Sequence, residues 1–341
     1  MRHFYEKIFV MTALAAPLLF ASCKKKTFRE LAMAKGLKTG IAVTSGDLYG
    51  EKEKQIVLEN SSMIVSENSM KWANLRPNEK FWNWSDIDNM VKFAQENAIE
   101  VKWHTLFWHQ QNSPFLGKLK TKEDALEAMD THVKTIMERY KGKISEYDVV
   151  NEMFNEDGSM RESLWYNLIG PEYIEHALRV AHEADPGAKL YLNEYNNEEQ
   201  GNAKADAMFN LVKDLKSRGV PLDGVGMQLH LSTEYSYNFD KIRSNVKRYA
   251  DIGVDVSFSE VDVRMPLPST EASLAKQMNI YTSLLKIAIE EPNVKSFITW
   301  GFTDKHSWVP GTFPGTGDAL LYTKNMEPKL VHEEMLKVLR K

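Results

Sequence analysis

Short apolar, β-branched runs recur along the chain at 40–44, 62–65, 99–103, 144–150, 189–192, 224–229, 254–258 and 295–299. Each has the length and composition of a strand. Between them, apolar residues fall at helical spacing, as in Ile87, Met90, Val91, Ala94 and Ala98, or Leu126, Met129, Val133, Ile136, Met137 and Tyr140. Strand and helix alternate eight times, ending on a helix over Val331 to Leu339. About 300 residues of alternating units without a linker predict an α/β fold, a single closed (β/α)8 TIM barrel. An open doubly wound sheet is the competing arrangement. It usually carries G-x-G-x-x-G after its first strand, and here that turn reads Ser45-Gly46-Asp47-Leu48-Tyr49-Gly50.

The pattern breaks at the start of the chain. Arg2 and Lys7 precede the apolar stretch Ile8 to Ala21, which is too short to span a bilayer as a helix but suits the core of an export signal. Phe20-Ala21-Ser22 leads into Cys23, the only cysteine, and then Lys24-Lys25-Lys26. This resembles a bacterial lipoprotein cleavage box. The reading is a signal peptide over residues 1–22, lipidation at Cys23, and one barrel domain over 23–341. The protein is then expected to be exported and anchored to a membrane only through that lipid, in the periplasm or at the cell surface. A plain secretory signal with an incidental cysteine is the alternative.

Composition narrows the function. With 43% hydrophobic and 26% charged residues the chain can bury a large core. A single cysteine excludes an internal disulfide or a cysteine-ligated metal cluster. A net charge of −4, without a long basic run in the folded part, argues against nucleic acid as a partner. His104, His109 and His230 lack the spacing of a zinc site, so no metal or cofactor is expected.

In such barrels the chemistry lies at the carboxyl ends of the strands. Trp72, Trp82, Trp84, Trp103, Trp108, Trp165, Trp300 and Trp308 all follow or end predicted strands, which suggests a rim of flat faces suited to stacking on sugar rings. Large aromatics that simply plug the barrel mouth are the alternative. Strand four runs into Asn151-Glu152 and strand seven into Ser259-Glu260, putting one carboxyl at each terminus. Glycoside hydrolysis needs two such groups, one protonated and one ionised. Rim carboxylates also make salt bridges, so position alone leaves both readings open. Gln228 and His230, two apart on strand six, should point to one side.

Six blocks then carry a family resemblance. Trp103-His104-Thr105-Leu106-Phe107-Trp108-His109, Asp148-Val149-Val150-Asn151-Glu152, Leu192-Asn193-Glu194-Tyr195-Asn196, Gly226-Met227-Gln228-Leu229-His230, Ser259-Glu260-Val261-Asp262, and Thr299-Trp300-Gly301-Phe302 through Ser307-Trp308 resemble glycoside hydrolase family 10. These are the retaining endo-β-1,4-xylanases, and the resemblance covers about residues 28 to 340. It implies that Glu152 is the general acid/base and Glu260 the nucleophile, with Asn151 bonding the sugar 2-hydroxyl. It makes His230 the partner that orients the nucleophile, with Gln228 beside it. Glu67, Asn68, Lys71, His104, Trp108, Tyr195, Trp300 and Trp308 match positions lining the glycone subsites. The implied substrate is xylan or xylo-oligosaccharides, and a monomer is expected. Another β-linked glycan as substrate, or a non-catalytic glycan-binding lipoprotein, are the alternatives; the second is opposed by the presence of both carboxyls.

Two positions depart from the commoner family pattern. Glu194 stands where Asp is usual, and Met227 precedes Gln228 where a small residue is usual. Neither is expected to touch the catalytic pair. The Gly- and Pro-containing segment from Asp304 to Glu327 is expected to shape the glycone side in its own way.

Overall fold

In a computed structural model describing residues 25–341, all eight expected strands form; the export segment and Cys23 lie outside the described residues. The strands are β1 (Lys38–Val43), β2 (Met63–Ser66), β3 (Glu100–Phe107), β4 (Glu146–Asn151), β5 (Lys189–Glu194), β6 (Gly224–Met227), β7 (Asp255–Pro266) and β8 (Val294–Thr299). Each pairs in parallel with the next. The ring closes where Thr39 and Gly40 of β1 pair with Phe297 and Ile298 of β8. The strands read as continuous apolar runs because a parallel barrel strand is covered on both faces, by side chains inside and by helices outside.

The helices obey the same patterning. The helix Ser85–Glu96 buries Ile87, Met90, Val91 and Ala94, and Ala98 falls just past its end with φ 50°. The helix Lys122–Arg139 starts at a capping box in which Thr121 and Asp124 satisfy each other's backbone N–H groups. It buries Met129, Val133, Ile136 and Met137. The last helix spans Leu330–Arg340.

Several strand ends differ from expectation on the rim that carries the chemistry, with β3 running on to Phe107 and β5 to Glu194. β7 continues well past Phe258, because Asp262–Arg264 gain a parallel partner in His230–Ser232 and Met265–Pro266 an antiparallel one in Thr316–Gly317. Those partners come from distant segments, so no local pattern reveals the extension. β6 stops at Met227, and Leu229 adopts φ 61° before the chain resumes as a short strand at His230.

The tryptophans do not form one binding surface. Side chains alternate along a strand, so in β3 His104 faces the barrel interior while Trp103 points outward, 5.9 Å from Tyr140 and 6.1 Å from Tyr147. Trp72 and Trp165 are buried with Phe107, and the partly buried Phe115 packs against Trp72. Trp82 and Trp84 stack on each other at 5.0 Å, with Arg76 and Arg139 over their rings. Only Trp108, Trp300 and Trp308 reach the cleft described below. For the other five, plugging and packing is the correct account.

His132 is the odd member of this aromatic layer. It lies 3.6 Å from Trp72 in a stacked arrangement, fully buried, with neither ring nitrogen hydrogen-bonded. Burial, helped by Arg76, pushes its pKa well below the ordinary histidine value. The native state therefore stays neutral while the unfolded chain takes up a proton below about pH 6.5, so stability falls as pH drops. The slope is about 1.4 kcal/mol per pH unit for one such proton. His132→Phe should remove that contribution. Denaturant titrations at pH 7 and pH 5 should show a smaller loss in the variant than in the parent, and equal losses would refute the assignment.

Candidate active site

The carboxyl ends of the strands surround a cleft of about 620 Å³. All thirteen side chains singled out for catalysis or substrate binding line it: Glu67, Asn68, Lys71, His104, Trp108, Asn151, Glu152, Tyr195, Gln228, His230, Glu260, Trp300 and Trp308. Outside that set, Gln110, Gln111, Asn196, Arg264, Thr312 and Phe313 complete the walls.

Glu260 sits in β7 at the floor of the cleft, almost wholly buried. Asn193 Nδ2 donates to its Oε1 at 2.7 Å, and His230 Nε2 donates to its Oε2 at 3.1 Å. The other ring nitrogen of His230 donates to Asp262 Oδ2 at 3.0 Å, and Trp308 Nε1 donates to the same oxygen at 2.7 Å. Burial opposes a charge on His230, but Asp262 and Glu260 outweigh it and raise its pKa to about 10. Burial would likewise raise the Glu260 pKa, yet His104, His230 and Asn193 together bring it down to about 2. Glu260 is therefore an ionised carboxylate throughout the ordinary pH range, with its oxygens already oriented. Room for Asn193 comes from Gly226, where a Cβ would overlap the Asn193 side-chain oxygen. Ser259 Oγ donates to that oxygen at 2.6 Å, so the amide is fixed with its NH2 toward Glu260.

His104 is held from below. Its Nδ1 donates to Asp148 Oδ2 at 3.1 Å and lies 3.8 Å from Glu260 Oε1. Asp148 also pairs with the buried Lys102 ammonium at 2.9 Å.

Glu152 lies one residue beyond β4 with φ 56°, a left-handed conformation that a non-glycine residue adopts only when its surroundings impose it. The backbone turn swings its carboxyl off the strand and into the cleft. Asn151 Nδ2 donates to Glu152 Oε1 at 3.2 Å and Gln228 Nε2 at 3.3 Å. Gln228 also donates to Asn151 Oδ1 at 3.1 Å, and Asn193 does so at 2.9 Å. Glu152 and Glu260 are thus joined by a continuous hydrogen-bonded bridge through Asn151, Gln228 and Asn193. Gln228 lines the cleft with His230 and hydrogen-bonds at the Glu152 end.

One wall is cationic and aromatic. Lys71 Nζ donates to Asn68 Oδ1 at 3.2 Å and lies 5.0 Å from the Trp108 ring centre and 5.7 Å from that of Trp300. Burial lowers its pKa, with Glu260, Glu67 and Glu152 pulling the other way. Burial raises the Glu67 pKa, with Lys71 opposing and Asp47 adding to the rise. Trp300 meets His104 edge-on at 5.1 Å. On the opposite side Tyr195 accepts a hydrogen bond from Arg161 at 2.9 Å.

Some site residues are not singled out by sequence patterning. Asn193, Asp148 and Asp262 lie inside the six blocks; Asp262 falls two after Glu260 on β7 and is marked by that alternation, while Asn193 and Asp148 stand out only as polar residues in otherwise apolar strand runs. Lys102, two before His104 on β3, carries the same alternation signal, whereas nothing local distinguishes Arg161 and Lys204 from surface cations. His109 is in the motif but not in the cleft; it stands behind Glu152, 3.8 Å from Oε2. The side chain of Glu194 bonds to neither catalytic carboxyl, but it acts on the Glu152 segment. Its Oε2 accepts from Phe154 N at 3.0 Å, and it interacts electrostatically with Glu152. Burial, against the effect of Lys204, raises its pKa to about 7.

Comparison with known proteins agrees with this geometry. The glycosyl hydrolase family 10 model matches residues 27–338. An endo-1,4-beta-xylanase B from Thermotoga neapolitana is 38% identical over 304 residues, 87% of each chain. An endo-1,4-beta-xylanase A from Fusarium oxysporum f. sp. lycopersici is 37% identical over 301 residues, 85% of this chain and 91% of the relative. The crystal structure of xylanase 10B from Thermotoga petrophila RKU-1 in complex with xylobiose superposes with a TM-score of 0.89 at 38% identity, covering 93% of this chain and 98% of that one. A closed parallel barrel, two bridged carboxyls at its carboxyl rim and a family match over nearly its whole length place this chain in glycosyl hydrolase family 10.

Proposed function

We propose that this protein is a retaining endo-β-1,4-xylanase that hydrolyses internal bonds of xylan by double displacement. The observation that carries the reading is the contrast between its two carboxyls. Glu260 is pinned as an anion by His230 and Asn193, while Glu152 stands across a hydrogen-bonded bridge on a separate backbone turn. Glu152 donates its proton to the glycosidic oxygen as the bond breaks. Glu260 attacks the anomeric carbon and forms a glycosyl ester. Glu152, now ionised, takes a proton from the water that cleaves the ester and returns both groups to their starting state. Asn151, already fixed by Asn193 and Gln228, presents its remaining N–H to the sugar 2-hydroxyl. Lys71, Asn68, Glu67, His104, Trp300 and Trp308 hold the glycone, and Trp108 and Tyr195 add aromatic faces to the cleft walls.

The choice of xylan is supported by the relatives and by a cleft that binds through stacking and hydrogen bonds rather than net charge. Reducing-sugar release from arabinoxylan, mixed-linkage glucan and carboxymethylcellulose tests it: activity on the glucans alone would refute the substrate. The domain reading completes the proposal, with residues 1–22 as signal peptide, Cys23 as the lipidated first residue of a monomeric enzyme, and location in the periplasm or at the cell surface. Cells fed a labelled fatty acid should mark the parent protein but not Cys23→Ala, and label retained by the variant would overturn the anchor.

A further inference from the structure

Behind Glu152 lies a second ionic cluster that the double displacement does not use. Lys204 occupies the first turn of the helix Ala203–Ser217, where a positive charge opposes the helix dipole, and its side chain is 0% exposed. Such a placement persists only where carboxylates compensate it. Here Glu194 Oε1 and Glu156 Oε1 each lie 3.0 Å from the ammonium. The ammonium also sits 3.2 Å from the centre of the Tyr195 ring, on a residue that lines the cleft.

Glu194 passes this anchoring on to the proton-donor segment. Its Oε2 accepts from Phe154 N, and its Oε1 accepts from Tyr195 N at 3.1 Å. From the other side, Arg161 Nε donates to the Glu152 carbonyl at 3.0 Å and Nη2 to the Phe154 carbonyl at 2.8 Å. Side chains therefore grip residues 152–154 at three backbone atoms, two by Arg161 and one by Glu194. That grip surrounds the residue whose backbone is in the left-handed region. Main-chain bonds from Glu152 N to Asn193 O at 2.9 Å and from Arg161 N to Met153 O at 2.8 Å also hold the turn, so weakening the side-chain grip shifts the Glu152 carboxyl without releasing the whole segment. A displacement of about 1 Å is enough to cost much of the benefit of a positioned group.

We infer that Lys204 and Glu194 are positioning residues for acid catalysis: the buried ion pair holds the backbone turn that aims Glu152, and fixes the Tyr195 wall beside it. The inference rests on Glu152 being the proton donor. It concerns the leaving-group half of the reaction, since the side chains of Lys204 and Glu194 bond to residues 154, 156 and 195 and not to the side chains that orient Glu260.

The test separates positioning from general structural support. kcat/KM is measured on xylotetraose, whose leaving sugar needs a proton, and on 2,4-dinitrophenyl β-xylobioside, whose leaving group does not. In Lys204→Met and in Glu194→Gln, kcat/KM on xylotetraose should fall by about 30-fold or more, against less than about threefold on the activated substrate. The double variant removes both charges at once, so it leaves no unpaired buried ion and remains measurable where Lys204→Met fails to fold. Its loss should be no larger than that of the more severe single variant, because the two residues act as one unit. Equal losses on the two substrates, or no loss on xylotetraose, overturn the inference. Glu152→Ala assayed alongside distinguishes the layers. If it shows the substrate split and the Lys204 and Glu194 variants do not, only the positioning role fails. If Glu152→Ala itself shows no split, the acid/base assignment fails first.

Discussion

Glu260→Ala is expected to reduce turnover of every substrate, activated or not, by at least about 10⁵-fold, or roughly 7 kcal/mol of transition-state free energy. No substrate rescues it because the loss is in bond formation to the anomeric carbon, not in assistance to the departing oxygen. The surroundings sharpen the expectation. Asn193 and His230 are arranged to bond two carboxylate oxygens, and in the alanine variant both are left facing an empty space. The His230 imidazolium then has Asp262 as its remaining carboxylate partner, so its pKa, about 10 in the parent, should fall. NMR titration of that histidine reads this independently of activity. An alanine variant retaining a measurable fraction of parental kcat/KM on xylan would remove Glu260 from the nucleophile's place. A β-xyloside whose product appears first as the α-anomer in a proton NMR time course would separately refute retention.

Glu152→Ala should behave differently. kcat/KM on xylan should drop by about 10³-fold, the usual contribution of a positioned general acid, while kcat/KM on 2,4-dinitrophenyl β-xylobioside should stay within a few-fold of the parent. The split arises because kcat/KM reports only steps up to formation of the glycosyl ester, and a dinitrophenolate leaves without a proton. kcat on the activated substrate should nonetheless fall, since the same residue serves as base when water cleaves the ester. Added azide, a nucleophile that needs no base, should restore kcat and yield the glycosyl azide. Equal losses in kcat/KM on the two substrates would be incompatible with Glu152 as the acid.

Much of this architecture is legible in the amino-acid sequence. Eight β-branched runs separated by helical patterning point to a closed barrel, because strictly alternating strand and helix units favour a parallel sheet that closes on itself. The rim location of Asn151-Glu152 and Ser259-Glu260 follows from strand order, since the carboxyl end of every strand in a parallel barrel faces the same way. The tryptophans show the limit of that reasoning. Position in sequence places a residue near the rim, but period-two alternation and the loop path decide which way it faces. Thus Trp103 and His104 are neighbours in the chain and lie on opposite sides of the strand wall.

Glu194 and Lys204 mark the same boundary. The substitution of Glu for Asp is visible in the sequence, but not its consequence, because its partners are Phe154 and Lys204, 40 and 10 residues away. What the sequence by itself determined is the fold, the two carboxyls and most of the cleft-lining side chains, since these follow from local patterning, from strand order and from the motif blocks. The tertiary structure alone decided the ionisation and aim of those carboxyls. A pKa of about 2 for Glu260 and a left-handed backbone at Glu152 come from groups that only folding brings within hydrogen-bonding distance, in a buried setting where charges interact strongly.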